Sequence, residues 1–217
     1  MSPATEKSAT FCPDCTLCPR LATFLAVTAR EQPDYHCKPV APFGDPSPRL
    51  LIVGLAPGMH GANRTGRPFT GDFAGILLYE TLHTLGLASA PVSVDRFDGL
   101  KLIGARITNA VKCLPPQNKP LPTEIKTCNR YLAAELEQLE SVRAVLALGL
   151  VAHDAVLMAV GAKKSSARFG HGSEHRLPDG RHLIDSYHCS RYNTQTRRLT
   201  APMFRQVVRR AATLAGL

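Results

Sequence analysis

The run Leu50-Leu51-Ile52-Val53-Gly54-Leu55-Ala56-Pro57-Gly58 opens the stretch around which the chain is organised. It continues as Met-His-Gly-Ala-Asn-Arg-Thr-Gly-Arg-Pro-Phe-Thr-Gly as far as Asp72. Residues 50–53 read as a buried parallel strand, apolar throughout and approached through a proline-rich segment. The chain then turns at Gly54, Pro57 and Gly58 and carries Gly61, Gly66 and Gly71, and a helical apolar pattern begins near Phe73. Strand, glycine-rich turn and helix in that order place a ligand crevice at the carboxyl end of a strand in an open α/β sheet. The loop has neither GxGxxG nor GxxxxGK[ST], so a dinucleotide or P-loop nucleotide is not indicated. It offers a backbone-lined pocket with one aromatic (Phe69), one carboxylate (Asp72) and two arginines (Arg64, Arg67).

Outward from this stretch, the same alternation recurs. Helical spacing runs from Pro19 to about Arg30, and residues 32–48 read as an extended, proline-rich connection. Residues 73–87 form the next helix, with Ile76, Leu77, Leu78, Leu82 and Leu85 turned inward. A second strand falls at 102–108, a long helix at 122–139, a third strand at 144–148, then a helix through Val160. A polar, glycine-containing stretch (163–180) precedes a fourth strand at 182–187 and a final arginine-bearing helix. Four strands alternating with helices predict a single-domain α/β/α sandwich around a central four-stranded, mainly parallel sheet, spanning residues 1–217 with a cysteine-rich segment at about 12–37.

With 217 residues the chain suffices for one well-buried domain, and 44% hydrophobic residues fit a globular protein. No apolar stretch approaches the roughly 18 residues of a membrane span, and Met1 to Thr10 lacks a leader pattern, so a cytoplasmic protein is expected. The net charge of +9 suggests a polyanionic partner. Arginines concentrate in 54–72, in 191–198 and in the last helix, and those in glycine-rich loops are placed to meet a backbone phosphate.

Seven cysteines are present. Cys12, Cys15 and Cys18 have CxxCxxC spacing, Cys37 follows, Cys113 and Cys128 lie far along the chain, and Cys189 is near the end. In a reducing compartment this pattern suggests a metal or cluster before disulfides. The candidate four are Cys15, Cys18, Cys113 and Cys128. Four thiolates suit zinc or an iron–sulfur cluster, and reduced cysteines buried as small hydrophobes are the plain alternative.

Two polar segments leave strand carboxyl ends besides the first loop. Asn109 closes the second strand, where it caps a turn or reads a base edge with its carboxamide. The fourth strand delivers His188-Cys189-Ser190-Arg191-Tyr192-Asn193-Thr194-Gln195-Thr196. Loops 54–72 and 188–196 should converge on one crevice. His60 and Asn63 are further candidates for its lining.

With these residues in hand, the chain resembles the uracil-DNA glycosylase superfamily, specifically family 5 (type B). The carrying motifs are GLAPG (54–58) extending to FTGD (69–72), TNAVKCLPPQNKPLP (108–122) and HCSRYNTQT (188–196). CTLCPRL (15–21) is similar to that family's N-terminal cluster motif. The resemblance covers nearly the whole chain in order. It implies a [4Fe–4S] cluster on Cys15, Cys18, Cys113 and Cys128. Cys12-Pro-Asp-Cys15-Thr-Leu17 also satisfies a related family's CxxCxL opening, but Pro19-Arg20-Leu21 favours the Cys15/Cys18 register.

The resemblance further implies a DNA repair enzyme that flips a deaminated base out of DNA and cleaves its N-glycosidic bond, and a monomer is expected because a long duplex must reach the crevice unobstructed. Gly54, Ala56 and Gly58 line the base pocket, Phe69 supplies the stacking face and Asn109 bonds the base edge. His188 stabilises the departing base. Other superfamily members carry an acidic residue where Leu55 and Ala56 stand, and Asp72 is the implied substitute, beside its ordinary role of capping the next helix. Glycine at 58, where several members have tyrosine, predicts a roomier pocket that admits hypoxanthine and xanthine. Arg64, Ser190, Arg191, Tyr192 and Asn193 would contact or wedge the DNA, with Cys189 replacing the proline of an HPS pattern. The rival expectation is a zinc-containing nucleic-acid-binding protein without turnover, which leaves Asp72, Asn109 and His188 unused.

Overall fold

A computed structural model describes residues 10–217; the leader reading at the extreme N-terminus falls largely on residues 1–9, outside the described residues. In chain order the elements are α1 (Pro19–Glu31), β1 (Phe43–Gly44), β2 (Leu50–Gly54), α2 (Ala62–Thr65), α3 (Phe73–Thr84), β3 (Ala105–Asn109), α4 (Pro122–Gln138), β4 (Ala144–Leu148), α5 (Leu150–Ala159), β5 (Glu174–Arg176), β6 (His182–Ser186), α6 (Arg191–Gln195) and α7 (Ala201–Ala215).

The strands form one six-stranded sheet in the order β1-β3-β2-β4-β6-β5. Its four inner strands are parallel, while β1 and β5 pair antiparallel at the two edges. The expected four-stranded parallel sheet is therefore present and two short edge strands extend it. Those edges lie inside the stretches read as a proline-rich connection and a polar loop. At two and three residues they are too short to show the alternation that marks a strand. Every residue of β2 and of β4 is buried, as a parallel strand covered on both faces requires.

Alternate side chains separate into two layers. Leu50, Ile52, Ile107, Leu146 and Ile184 pack with residues of α3 and α7, including Leu78, Leu82, Phe204 and Val208. Leu51, Val53, Val145 and Leu183 pack with residues of α4 and α5, including Leu132, Leu136 and Val156. A smaller cluster joins Leu21 and Leu25 of α1 to Val111, Leu114 and Tyr131.

Two boundaries and the facing of one side chain differ from the reading of the sequence. The second strand begins at Ala105, because Leu102 instead bridges to Ala88. The helix from Phe73 ends at Thr84, where Gly86 turns left-handed. Ile76, expected inward, is 62% exposed, since the sheet takes the stripe through Leu78 and Leu82 and leaves Ile76 beside the cavity described next.

Candidate active site

Gly54 and Asn109 end adjacent parallel strands in direct register. A Cβ on Gly54 would fall 2.4 Å from Asn109 Oδ1 and 2.6 Å from Phe69 Cζ. Glycine is thus what allows the carboxamide and the ring to close over the strand end. Asn109 is 3% exposed, and its Oδ1 is a buried acceptor with no hydrogen-bond partner among the described residues.

The loop doubles back through Phe69, which adopts a left-handed φ of 53°. Tyr79 Oη donates to Pro68 O at 2.8 Å. Arg67 is 3% exposed; its guanidinium pairs with Asp98 at 2.7 Å, donates to Ser93 at 2.9 Å and covers the Phe43 ring at 4.4 Å. Arg67 is therefore a buried buttress and not a phosphate contact. Arg64 is exposed but lies outside the cavity lining, with Nε donating to His60 O at 2.7 Å.

Asp72 caps α3, its Oδ1 accepting from Gly75 N at 3.0 Å. A Cβ on Gly61 would fall 2.4 Å from Asp72 Oδ2, so this glycine lets the second oxygen lie against the turn. Burial raises the Asp72 pKa above the ordinary carboxylate value, against the pull of the Gly75 and Ala74 N–H groups.

From the far strand, β6 delivers His188. Its imidazole stacks on Phe69 with centroids 5.9 Å apart and planes 27° from parallel. Burial lowers its pKa to about 4, so the ring is neutral near pH 7. Asn193 Nδ2 donates to His188 O at 2.8 Å. Asn193 thus fastens the loop from within, where a DNA contact was expected, because the short helix α6 turns its carboxamide inward. Ser190 caps α6, accepting from Asn193 N at 3.4 Å. Arg191 is exposed with its guanidinium 5.3 Å from the Phe73 ring, and Tyr192 is 70% exposed.

Asp72, Phe69, Asn109 and His188 face one cavity of about 1200 Å³, together with Ala56, Gly58, Ser190 and Arg191. The two polar loops do converge. His60 joins the lining, with Nδ1 2.9 Å from Tyr35 Oη. Asn63 does not; it is fully buried, and its Nδ2 donates to Cys37 Sγ at 3.6 Å. Sequence reasoning missed the wall made by Pro91, Val92 and Ser93, and also Glu80 and Asn118. The one local signal was the Gln117–Asn118 pair, both at left-handed φ, a conformation asparagine tolerates.

On the other side of β3, Cys15, Cys18, Cys113 and Cys128 line a second, small cavity with Leu21, Val111 and Tyr131, and Cys12 is not part of that lining. Burial, then the neighbouring Cys128, pushes the Cys18 thiol up to about 11. Burial, then Cys128, Cys15 and Cys18, pushes Cys113 up to about 12. Lys112 N donates to Cys128 Sγ at 3.3 Å. A bound cationic centre reverses such shifts by holding the sulfurs as thiolates. Among the described residues, the group of three or more potential ligands with donor atoms all within 4.8 Å of one another is His153, His175 and Asp185.

Strand-end loops that fold a ring, a carboxamide, a carboxylate and a neutral imidazole around one cavity define a class, and the sequence comparisons agree with it. A family model described as the uracil DNA glycosylase superfamily matches residues 41–212, and the chain belongs to that superfamily. Within it, the chain groups with type-5 members. It is 50% identical over 208 residues to the Type-5 uracil-DNA glycosylase of Thermus thermophilus, covering 94% of each chain. It is 46% identical over 212 residues to the Type-5 uracil-DNA glycosylase of Mycobacterium tuberculosis, covering 94% of this chain and 79% of that protein. The Type-4 uracil-DNA glycosylase of Thermotoga maritima is 32% identical over 148 residues, 68% of this chain and 67% of that protein.

Proposed function

We propose that the chain is a monofunctional DNA glycosylase that binds an extruded deaminated base in the cavity and hydrolyses its bond to deoxyribose, leaving an abasic site. The observation that carries this reading is the meeting of Phe69 and Asp72 with Asn109 and His188, from three separate segments, at one cavity. Extrusion of a base costs a few kcal/mol and is repaid by stacking and edge hydrogen bonds. Phe69 offers the stacking face, and Asn109 brings an unsatisfied acceptor.

As the C1′–N bond breaks, its electron pair leaves with the base. A donor aimed at the developing negative charge stabilises that state. His188 is suited to this as a neutral imidazole N–H. Asp72 is suited to stabilise the positive sugar and orient the water whose oxygen bonds to C1′, one water proton ending on the base. Ser190, Arg191 and Tyr192 are placed outside the rim to meet flanking phosphates or the gap left by the extruded base. All of these groups come from one chain, so a monomer suffices.

Cys15, Cys18, Cys113 and Cys128 would hold a [4Fe–4S] cluster, which when bound would cross-link α1 to the 113–128 segment without a redox step. Replacing Cys12 and Cys18 separately and measuring bound iron tests the register: loss of iron in the Cys18 variant alone supports it, and retained iron there overturns it.

At Gly58 a Cβ would meet nothing nearer than Asp72 Oδ2 at 3.6 Å. The space left there supports action on hypoxanthine and xanthine as well as uracil. Duplexes carrying each base, scored for released free base, test the whole reading. Release from none overturns it, and release of uracil alone overturns the broader range.

A further inference from the structure

The buried triad His153, His175 and Asp185 stands outside both sites, on α5, β5 and β6. The side chains of His153 and Asp185 are 2% and 0% exposed, that of His175 19%. His153 Nε2 faces Ala167 O at 3.1 Å. A carbonyl only accepts, so that nitrogen carries the hydrogen, and a neutral ring then leaves a lone pair on Nδ1. Nδ1 lies 2.8 Å from Asp185 Oδ1. Two acceptors at that distance require a cation between them, either a proton or a metal ion.

His175 separates the two cases. Its Nε2 lies 3.5 Å from Asp185 Oδ2, and it is a buried atom without a hydrogen-bond partner among the described residues. A proton on His153 satisfies Oδ1 and Gly170 N donates to Oδ2 at 3.4 Å, which leaves His175 Nε2, 3.5 Å from Oδ2, in ion-pair range but without a hydrogen bond. A metal ion satisfies all three groups. Their donor atoms fall within 4.8 Å of one another, and ligands on a tetrahedral zinc with bonds of about 2.0 Å stand about 3.3 Å apart. The Ala167 carbonyl meanwhile fixes the His153 tautomer, as outer-shell acceptors do for metal-bound imidazoles.

The geometry points to a binding site for one divalent transition ion, zinc by ligand type, held by His153 Nδ1, His175 Nε2 and an Asp185 oxygen. Asp185 precedes His188 by three positions, so the ion would tie α5 and β5 to the strand that presents His188.

The test uses the iron-loaded full-length protein exchanged against Zn²⁺ and analysed for metal, alongside H175A and H175Q. One zinc per chain in the wild type, absent from both variants, is expected. Zinc at about 100 times its Kd should raise the wild-type melting temperature by about 5–10 °C and leave both variants unmoved. Cobalt(II) in the wild type should show d–d bands without thiolate charge transfer, which separates this site from the cysteines. Equal zinc in the wild type and both variants would overturn the assignment. So would a wild type that takes up no zinc, and His153 doubly protonated by NMR would then show that a proton alone bridges the pair.

Discussion

The loops 54–72 and 188–196 leave the same carboxyl end of the parallel strands, yet they treat the same residue type in opposite ways. In the first, Arg67 is drawn inside, paired with Asp98 and stacked on Phe43. In the second, Arg191 and Tyr192 stand in solvent above a buried Cys189. The first loop spends its charge on rigidity, so that Phe69 and Asp72 hold their places. The second anchors only its base, through Asn193 and the Ser190 cap, and leaves its tip for a partner. A pocket wall and the proposed DNA contact are thus distinguished by burial and not by composition.

That contrast breaks most decisively at Asp72. Asp72→Asn keeps an acceptor for the α3 cap, so melting should change by about 1 kcal/mol or less. Turnover on a uracil duplex should fall by about 10²–10⁴-fold; unchanged turnover would remove Asp72 from the chemistry. Arg67→Ala should act in the reverse sense. Stripping Asp98 of its buried partner should cost about 1.5–3 kcal/mol of stability by denaturant melts, with the salt dependence of DNA binding unaltered. Gly54→Ala should cost about 1–3 kcal/mol and also lower turnover, since the new methyl displaces both Phe69 and Asn109.

Proton titration sharpens the comparison further. The lowered His188 pKa means that the unfolded chain takes up a proton first as the pH falls. Stability should decline from pH 6.5 toward about 4, and His188→Gln should remove that part of the slope. Activity should show no limb from His188 near neutrality. Its acid limb belongs to Asp72, above the ordinary carboxylate value because burial raises it. The smallest effect falls on the exposed tip. Arg191→Ala should reduce the log–log salt slope of DNA binding by about 1 while leaving the melting temperature unchanged.

Much of this was legible along the chain. The four apolar runs became the four parallel strands, and the glycine spacing of 54–72 announced a turn that brings Phe69 over Gly54. Asn109 and His188 close or follow strands and the 54–72 loop leaves another, so one crevice is legible there, whereas the role of Asp72 follows only from the resemblance of its FTGD motif. The edge strands were not legible: two or three residues carry no periodicity, and only a neighbour's free edge makes them strands. The wall at 91–93 was equally hidden, because its position depends on Asp98 capping the Val94 and Leu100 N–H groups while pairing with Arg67.

By itself, the amino-acid order determined which segments are the four parallel strands and which turns need glycine, because those properties depend on neighbours within a few residues. Only the tertiary structure decided that Arg67 and Asn193 serve the scaffold, that Cys12 stands outside the thiol-lined cavity, and that His153, His175 and Asp185 meet. Each of those outcomes depends on partners distant in sequence, and burial there sets the charge state and role of a side chain that its local sequence leaves open.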